Sequence, residues 1–303
     1  MQKLTIRENV QTHKLGKKVF ELPTPWKISA LAELPGGVML GAYHNDTRRD
    51  SQIYWNGKPL THLVDGREAA GFDAETIGQP LVLGDYAVVA GECGHLIGAI
   101  KGHVFVYERV QLKWATTCAM YNSTAYVLDS NGIATWAREC VTGDKHFVMP
   151  GTGIIMAATE FDGFLWAAMA DSDDKHHGLS CSNGDLRWFN SCQCVVNAWG
   201  RLLFSTGNEV WAMDRHGPVR LGDLPCEKIM DMRMVETGDL RIAGANPDTA
   251  WEADHTGTVY NIGTIRSGNA KVGGSCFRVR VSDKYFARCR DGHTGEVYEI
   301  IRA

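Results

Sequence analysis

The sequence lacks the features that would place a protein in a membrane or direct it out of the cell. No run approaches the roughly 18 consecutive apolar residues that a membrane-spanning helix needs. Residues 1–9 (MQKLTIREN) are polar where a signal peptide would need an apolar core. We therefore expect synthesis in the cytoplasm without a signal peptide, and no insertion into a membrane.

An excess of charge of one sign is also missing. The 303 residues include 31 Lys and Arg residues and 35 Asp and Glu residues, which gives a formal net charge of -4. Proteins that bind nucleic acids or anionic membranes through charge are usually strongly basic. Neither nucleic acid nor a membrane surface is therefore expected as the main partner.

Motifs of catalysis and metal binding are missing too. The sequence has no G-x-S-x-G, and none of its nine cysteines belongs to a C-x-x-C pair. Cys192 and Cys194 would point two thiols to one face of a strand, as two metal ligands do, but a second such pair is missing. An odd number of cysteines without an export signal favours reduced, buried thiols. We expect no catalytic residue, no metal site and no cofactor.

What the sequence does contain is a repeat. Seven short apolar runs each break at a tight-turn signal and resume as a second apolar run. The breaks follow one another at intervals of 38 to 48 residues and lie at Gly36, Gly84, Asn122, Asp162, Gly200, Gly238 and Ser282. This interval is typical of repeat units that contain four strands each.

The region 194–221 shows the repeat unit most clearly. It predicts strands over 194–198, 201–206, 209–213 and 218–221, with turn residues between them. In several strands the apolar residues are consecutive and do not alternate with polar ones, as in 164–169 (FLWAAM). Such strands are covered on both faces, which is expected when each sheet packs between two others.

The last repeat is one strand short. Residues 276–281, 284–288 and 296–300 supply three strands, and residues 18–23 (KVFELP) near the other end of the chain have the pattern of a fourth. Pairing these segments would remove two exposed sheet edges. We therefore predict an all-β chain with an N-terminal arm over residues 1–17 and a single domain over 18–303. The domain would have seven four-stranded antiparallel blades, with residues 18–23 completing the C-terminal blade.

Over residues 18–303 the chain resembles β-propellers. It lacks WD dipeptides, the aromatic spacing of kelch repeats and the sialidase aspartate box, so the resemblance is one of architecture. The resemblance implies a non-enzymatic interaction or structural platform, as a subunit of a larger assembly such as a bacteriophage virion tail or adhesion component. The alternative is an enzyme that acts on a glycan or small molecule at the channel mouth. Its candidate carboxylates are Glu92, Asp129, Glu160 and Asp254.

The expected partners are other protein subunits, which would contact the rim loops and the N-terminal arm and could form an oligomeric assembly. Two polar loops, 44–50 and 171–177, are longer than the repeat requires. Their candidate contact residues are Arg48, Arg49, Asp173, Asp174, His176 and His177. The second loop has two other interpretations, a solvated loop of mixed charge or a transition-metal site formed by a histidine and an aspartate.

A basic segment near the C-terminus offers a second contact surface. Residues 266–290 contain seven Lys and Arg residues and one acidic residue. Arg288 and Arg290 are its candidate docking residues for an acidic partner surface. The alternative is that arginines of this segment pair internally with carboxylates of the neighbouring blade, such as Asp231.

The same segment predicts a pair of neighbouring cysteines. If Ser282 and Asp283 form a two-residue hairpin turn, Val281 faces Lys284, and counting outward places Cys276 opposite Cys289. Directly opposite residues of two paired strands are close enough for a disulfide. The two thiols would form one in an oxidising environment and would stay reduced inside a cell.

Overall fold

The computed structural model describes most of the chain, and this described part contains strands and turns but no helix. No described segment forms a helix that is long and apolar enough to cross a membrane. The described residues are 3–8, 10–44, 50–64, 67–69, 72–73, 79–83, 86–91, 94–101, 104–107, 115–129, 133–136, 145–149, 154–170, 177–189, 191–266, 279–290 and 294–303.

The strands form seven hydrogen-bonded sheets, which we number 1 to 7 in chain order. Two N-terminal strands, β1 (Thr5–Arg7) and β2 (His13–Glu21), precede sheet 1. Sheet 1 contains β3 (Trp26–Leu34), β4 (Gly37–His44), β5 (Asp50–Trp55), β6 (Lys58–Pro59) and, further along the chain, β9 (Phe72–Asp73). Sheet 2 contains β7 (Thr61–Val64), β8 (Arg67–Ala69), β10 (Leu81–Leu83), β11 (Tyr86–Gly91), β12 (Gly94–Lys101) and β13 (Val104–Tyr107).

The remaining five sheets each contain a regular antiparallel blade of four strands, and in sheet 6 strand β1 adds to this blade in parallel. Sheet 3 contains β14 (Ala115–Tyr121), β15 (Thr124–Asp129), β16 (Ile133–Trp136) and β17 (Lys145–Val148). Sheet 4 contains β18 (Ile154–Phe161), β19 (Phe164–Ala170), β20 (His177–Cys181) and β21 (Leu186–Phe189). Sheet 5 contains β22 (Val195–Ala198), β23 (Arg201–Thr206), β24 (Glu209–Asp214) and β25 (Gly217–Asp223). Sheet 6 contains β26 (Lys228–Met234), β27 (Leu240–Ala245), β28 (Asp248–Ala253) and β29 (Thr258–Ile265). Sheet 7 contains β30 (Val279–Val281), β31 (Tyr285–Arg290) and β32 (Thr294–Arg302), with β2 as its outer strand.

The predicted type of blade, with four antiparallel strands, is therefore confirmed, and five such regular blades are present where seven were predicted. Sheet 1 ends in a strand of two residues, Lys58–Pro59, and gains β9 on β5. Sheet 2 has six strands because β7 pairs with β13 in parallel and β8 pairs with β7. Both irregularities come from the connection that follows β6. Its short strands β7, β8 and β9 add to sheets 1 and 2 and do not form a regular fourth strand of either sheet.

Strand β2 joins the N-terminal part of the chain to the C-terminal sheet. It pairs with β32 in antiparallel register, with Phe20 opposite Val297 and Glu21 opposite Glu296. The strand begins at His13, earlier than the predicted residue 18, and Leu15 lies opposite Ile300. The pairing predicted from the missing fourth strand is thus present and extends into the predicted arm.

Left-handed backbone conformations mark the turns between first and second strands. Asn122 and Ser123 have φ angles of 46° and 59°, and Asp162 and Gly163 have 51° and 74°. Trp199 also adopts a positive φ of 53° before Gly200. Positive φ at both central residues is what a two-residue hairpin turn requires, so these three predicted breaks are confirmed.

The apolar core lies between the sheets. Each of seven clusters of buried side chains joins one sheet to the next, and one of them joins sheet 7 to sheet 1 through residues such as Val297 and Leu40. Strand β19 illustrates the consequence, because six of its seven residues are buried. The consecutive apolar runs of the sequence follow from this burial on both faces.

Candidate interaction surfaces

The turns between the first and second strands line up on one side of the molecule. We call these described turns the turn face, and they comprise residues 33–37, 121–124, 160–164, 197–201, 235–239 and 282–285. Hydrogen bonds between turns of successive sheets hold the face together. Trp199 Nε1 donates to Gly238 O at 2.7 Å, which ties sheet 5 to sheet 6. Tyr121 Oη donates to Gly163 O at 3.2 Å, which ties sheet 3 to sheet 4.

Two glutamates have the same structural role on the turn face. Glu160 Oε2 accepts a hydrogen bond from the Asn122 amide at 2.9 Å, and Glu33 Oε1 accepts one from the Lys284 amide at 2.8 Å. In each case the glutamate lies near the end of the first strand of its sheet, and its carboxylate accepts a hydrogen bond from the turn of the preceding sheet. Each glutamate also stands three residues before a turn glycine with positive φ, Gly163 or Gly36.

A cavity of about 650 Å³ opens on the turn face between the first and the last sheets. Its lining includes two acidic residues, Glu33 and Glu236, together with Lys284 and Tyr285. The Lys284 Nζ lies 3.9 Å from Glu33 Oε2. The remaining lining residues are Leu34, Pro35, Gly36, Gly37, Asn56 and Val82. The cavity is therefore mixed in chemistry, with charged groups at its wall and backbone of the 34–37 turn beside them.

The turn face has an excess of acidic residues. Among its residues six carry a carboxylate and two carry a cation: Glu33, Glu160, Asp162, Glu236, Asp239 and Asp283 against Arg201 and Lys284. Aromatic side chains lie among them, and Phe164 is 39% exposed. The sequence analysis did not identify this surface. A signal for it was available, since a glutamate three residues before the turn glycine occurs at 33–36 and again at 160–163.

Most of the contact residues predicted from the two polar loops lie outside the described residues. This applies to Arg48, Arg49, Asp173, Asp174 and His176. The remaining one, His177, is the first residue of β20 and is buried at 4% exposure. Its imidazole belongs to sheet 4 and does not project from an exposed loop.

Arg288 is buried in a cluster of charged residues and not exposed as a docking residue. Its Nε donates to Glu296 Oε2 at 2.9 Å, and its guanidinium lies 3.3 Å from Asp248 Oδ2 on sheet 6. Burial works to raise the pKa of Glu296, but the hydrogen bonds from Arg288 and Tyr298 outweigh it and the pKa is lowered. The predicted exposure of Arg288 is therefore wrong, because two carboxylates neutralise its charge inside the blade.

Arg290 lies at the border of the same cluster. Its side chain is 42% exposed and contacts Glu21 and Glu296, each at 3.2 Å. Arg280 is also satisfied inside the protein, since it is buried and its guanidinium donates hydrogen bonds to the carbonyls of Ser29 and Met230 at 2.8 and 2.9 Å. These arginines connect sheets 1, 6 and 7, which is the alternative that the sequence left open for the basic segment.

Five of the six described cysteines are buried and Cys226 is partly buried, and the hairpin register that pairs Cys276 with Cys289 is wrong. Val281 lies opposite Phe286 and Val279 opposite Arg288, because the turn is centred on Asp283 and Lys284. Cys289 is buried, and Cys276 lies outside the described residues. Cys192 and Cys194 belong to different apolar clusters, and burial raises the pKa of Cys194 to about 12.

The carboxylates named for an enzyme do not converge in the part of the chain that the structure describes. Glu160 bonds a turn of sheet 3, and Asp254 on sheet 6 accepts amide hydrogen bonds from Thr256 and Thr258 at 2.9 and 3.0 Å. Glu92 and the side chain of Asp129 lie outside the described residues. Within the described ranges no group of three His, Cys, Asp or Glu side chains is arranged to hold a metal ion.

The N-terminal segment lies along the outer edges of sheets 5, 6 and 7. The Leu4 amide donates to Leu221 O on β25 at 2.9 Å, and β1 then pairs in parallel with β29. Further on, His13 Nδ1 lies 2.9 Å from Glu252 Oε2 on sheet 6. The described residues of the predicted arm thus contact three sheets of their own chain, and the expected contact of the arm with other subunits stays a prediction.

Solved structures similar to this chain share its fold. One chain in the crystal structure of the mitotic checkpoint complex matches with a TM-score of 0.60 at 9% identity, covering 91% of this chain and 89% of that chain. Streptogramin B lyase matches with a TM-score of 0.60 at 12% identity, covering 95% of this chain and 98% of that chain. A chain in the crystal structure of BBS1N in complex with ARL6DN matches this chain with a TM-score of 0.56 at 15% identity, covering 95% of this chain and 97% of that chain.

Sequence comparisons give no closer assignment. No protein-family model matches the chain, and no curated protein matches it either. At 9–15% identity the structural similarities establish the fold alone. The chain therefore has an all-β propeller fold built of four-stranded antiparallel blades.

Proposed function

We propose that the protein is a non-enzymatic interaction platform and that its turn face binds a partner protein. The observation that carries this proposal is the set of hydrogen bonds between successive turns, which fix the turn face before any partner arrives. The bonds from Trp199 to Gly238 and from Lys284 to Glu33 are examples. A preformed surface loses little conformational entropy when it binds, and this favours affinity.

The chemistry of the turn face favours a partner segment that carries Lys or Arg. Its six carboxylates outnumber its two cations, and Glu236 and Asp162 are exposed. Exposed Phe164 and the ring of Tyr285 offer faces for cation–π contact with the same side chains. Complementary charge raises the association rate and selects the partner.

We also propose that sheets 1 and 2 serve as two irregular blades, so that the ring has seven. Supporting this count, Ala87 and Val89 of sheet 2 pack in one cluster with residues of sheet 1. Residues of sheet 7 pack against sheet 1 in the same way. A closed ring leaves the turns of all blades on one shared surface.

Two of the similar structures agree with a platform role. These two are chains of assemblies, the mitotic checkpoint complex and BBS1N in complex with ARL6DN, while a third similar structure is streptogramin B lyase. By analogy, this propeller would act through contacts with other chains. The bacteriophage tail and the virion stay predictions from the sequence, because neither the fold nor the comparisons bear on them.

Charge reversal on the turn face tests the proposal. The variant Glu236→Lys/Asp239→Lys removes two carboxylates from the turn of sheet 6. The matched control is Asp223→Lys/Glu227→Lys, which makes the same change of net charge at two exposed residues outside the turn face. Fluorescence anisotropy measures binding of a set of short Lys- and Arg-rich peptides at low and moderate salt. We expect about tenfold weaker binding for the turn-face variant and a smaller salt dependence.

The control keeps the test specific. Asp223, which pairs with Arg220 at 2.8 Å, and Glu227 are both exposed, so their reversal changes surface charge without touching the turn face. Equal weakening in both variants would show a non-specific charge effect, and failure of the unmodified protein to bind any basic peptide would contradict the proposed partner chemistry.

A further inference from the structure

We propose that residues Leu4–Arg7 are an exchangeable strand and that the groove between sheets 5 and 6 accepts the same segment from a second copy of this chain. The groove is bounded by the outer strands β25 and β29, and this proposal is independent of the turn face. In the structure the groove holds the chain's own N-terminal segment.

The segment sits in the groove as a short extended peptide. Leu4 packs against the apolar cluster between sheets 5 and 6, and its amide donates to Leu221 O at 2.9 Å. The Thr5 amide donates to Gly257 O at 2.9 Å, and residues 5 to 7 pair in register with residues 258 to 260. A Cβ atom on Gly222 would stand 3.0 Å from Leu4 Cβ, so the missing side chain makes room for this anchor.

The contacts of β1 are weak compared with those of the other N-terminal strand. All three residues of β1 are exposed, and Ile6 is 38% exposed. It pairs in parallel at the outer edge of a sheet, where fraying costs little free energy. By contrast, β2 pairs with β32 from His13 to Glu21 and contributes to sheet 7. Strand β1 can therefore leave while β2 keeps its place.

The connection between the two strands permits this movement. Residues 8, 10, 11 and 12 are exposed, and Val10 is 51% exposed. A short exposed tether of this kind is the hinge that strand exchange between identical chains uses, since every contact made within one chain can form again between two. Mutual exchange of β1 by two copies gives a closed dimer.

Other features of the molecule favour an added strand and a second copy at this edge. Strand β7 joins the outer strand of sheet 2 in the same parallel manner, so outer edges accept extra strands at two places in the chain. Ile6 on the segment and Val10 on its tether are large apolar side chains that are exposed. A second copy seated there would cover apolar surface of this kind.

Cross-linking between two single-cysteine variants tests the exchange. Arg7 and Tyr260 are direct neighbours in the register of β1 and β29, at the separation that suits a disulfide. The variants Arg7→Cys and Tyr260→Cys are purified separately, mixed at high protein concentration and oxidised. We expect a covalent dimer in the mixture that increases with concentration, because neither variant can form this bond within one chain.

Two controls make every outcome decisive. A mixture of Arg7→Cys with Phe164→Cys, whose cysteine stands on the distant turn face, measures dimers formed by random collision or by the native cysteines. The double variant Arg7→Cys/Tyr260→Cys must cross-link within one chain. If it does so while the mixture gives no more dimer than the collision control, strand exchange is overturned. If the double variant fails to cross-link, the pairing of β1 with β29 is itself contradicted.

Discussion

Single side chains join neighbouring sheets at two places in this molecule. On the turn face the links are carboxylate to amide, as at Glu160 and Glu33. At the junction of sheets 6 and 7 the links are buried ion pairs around Arg288. The two kinds of link differ in exposure, and this difference determines how much free energy each contributes.

Glu160→Ala tests the turn-face link. The substitution removes the acceptor of the Asn122 amide, and we expect the free energy of unfolding to fall by about 1 kcal/mol because the site is partly exposed. Glu160→Gln keeps an oxygen acceptor, so its free energy of unfolding should fall by less. Urea denaturation measures both values, and identical stabilities for all three proteins would mean that the link contributes nothing.

Arg288→Met tests the buried cluster. It removes the buried guanidinium that pairs with both Asp248 and Glu296, and we expect a loss of about 3–5 kcal/mol in unfolding free energy. Arg290→Met, at the exposed border of the cluster, should cost less than about 1 kcal/mol. A thermal melt distinguishes the two variants, and equal losses would show that Arg288 is not buried as described.

The cluster also predicts how stability depends on pH. The pKa of Glu296 is lowered in the folded state, so its contribution is fully present above the pKa of the unfolded chain. That contribution is lost as the pH falls through the lower folded pKa, and stability should therefore decline below about pH 4. In Arg288→Met the decline should be smaller, because loss of the guanidinium moves the folded pKa of Glu296 back towards its unfolded value. Unfolding free energies measured across this range give the comparison, and superimposable profiles would contradict it.

Among strands and turns, the turn residues in the sequence were enough to predict where hairpins form. They were not enough to predict which residues of the two strands lie opposite each other. Asn122, Asp162 and Trp199 were identified by the turn signals around them, and each adopts the positive φ that such turns need. The turn of sheet 7 was misplaced by one residue because Ser-Asp-Lys offers no glycine to fix its centre, and the Ser282 hydroxyl accepts the Tyr285 amide at 3.2 Å. A hydrogen bond of this kind forms only once the turn has folded, and no repeating pattern in the sequence predicts it.

The two N-terminal strands should differ in importance. Deleting residues 1–23 removes β2 together with Leu22, which is 1% exposed in the core between sheets 7 and 1, and we expect cooperative unfolding to disappear. Deleting residues 1–9 removes β1 alone and should leave a cooperative transition at a lower temperature. Calorimetry of both truncated proteins measures this, and a deletion of residues 1–23 that melts like the full chain would rule out β2 as the strand that completes sheet 7.

At the scale of the whole molecule, the fold was more predictable than the site. The repeat interval and the missing fourth strand indicated a propeller closed by an N-terminal strand, because burial on both faces leaves a pattern that sequence reveals. The turn-face site was missed because Glu33, Glu236 and Tyr285 are far apart in the chain and come together only when sheets 1, 6 and 7 meet. Arg288 was misjudged for the same reason, since its partner Asp248 belongs to another sheet.

The turn face is the proposed binding surface of this propeller, and hydrogen–deuterium exchange of the full-length protein with and without a bound Lys- and Arg-rich peptide tests the proposal. We expect added protection over residues 33–37, 235–239 and 282–285, around the cavity of about 650 Å³. Protection confined to other elements, for example the outer strands β21 and β25, with unchanged exchange in these turns, would contradict it.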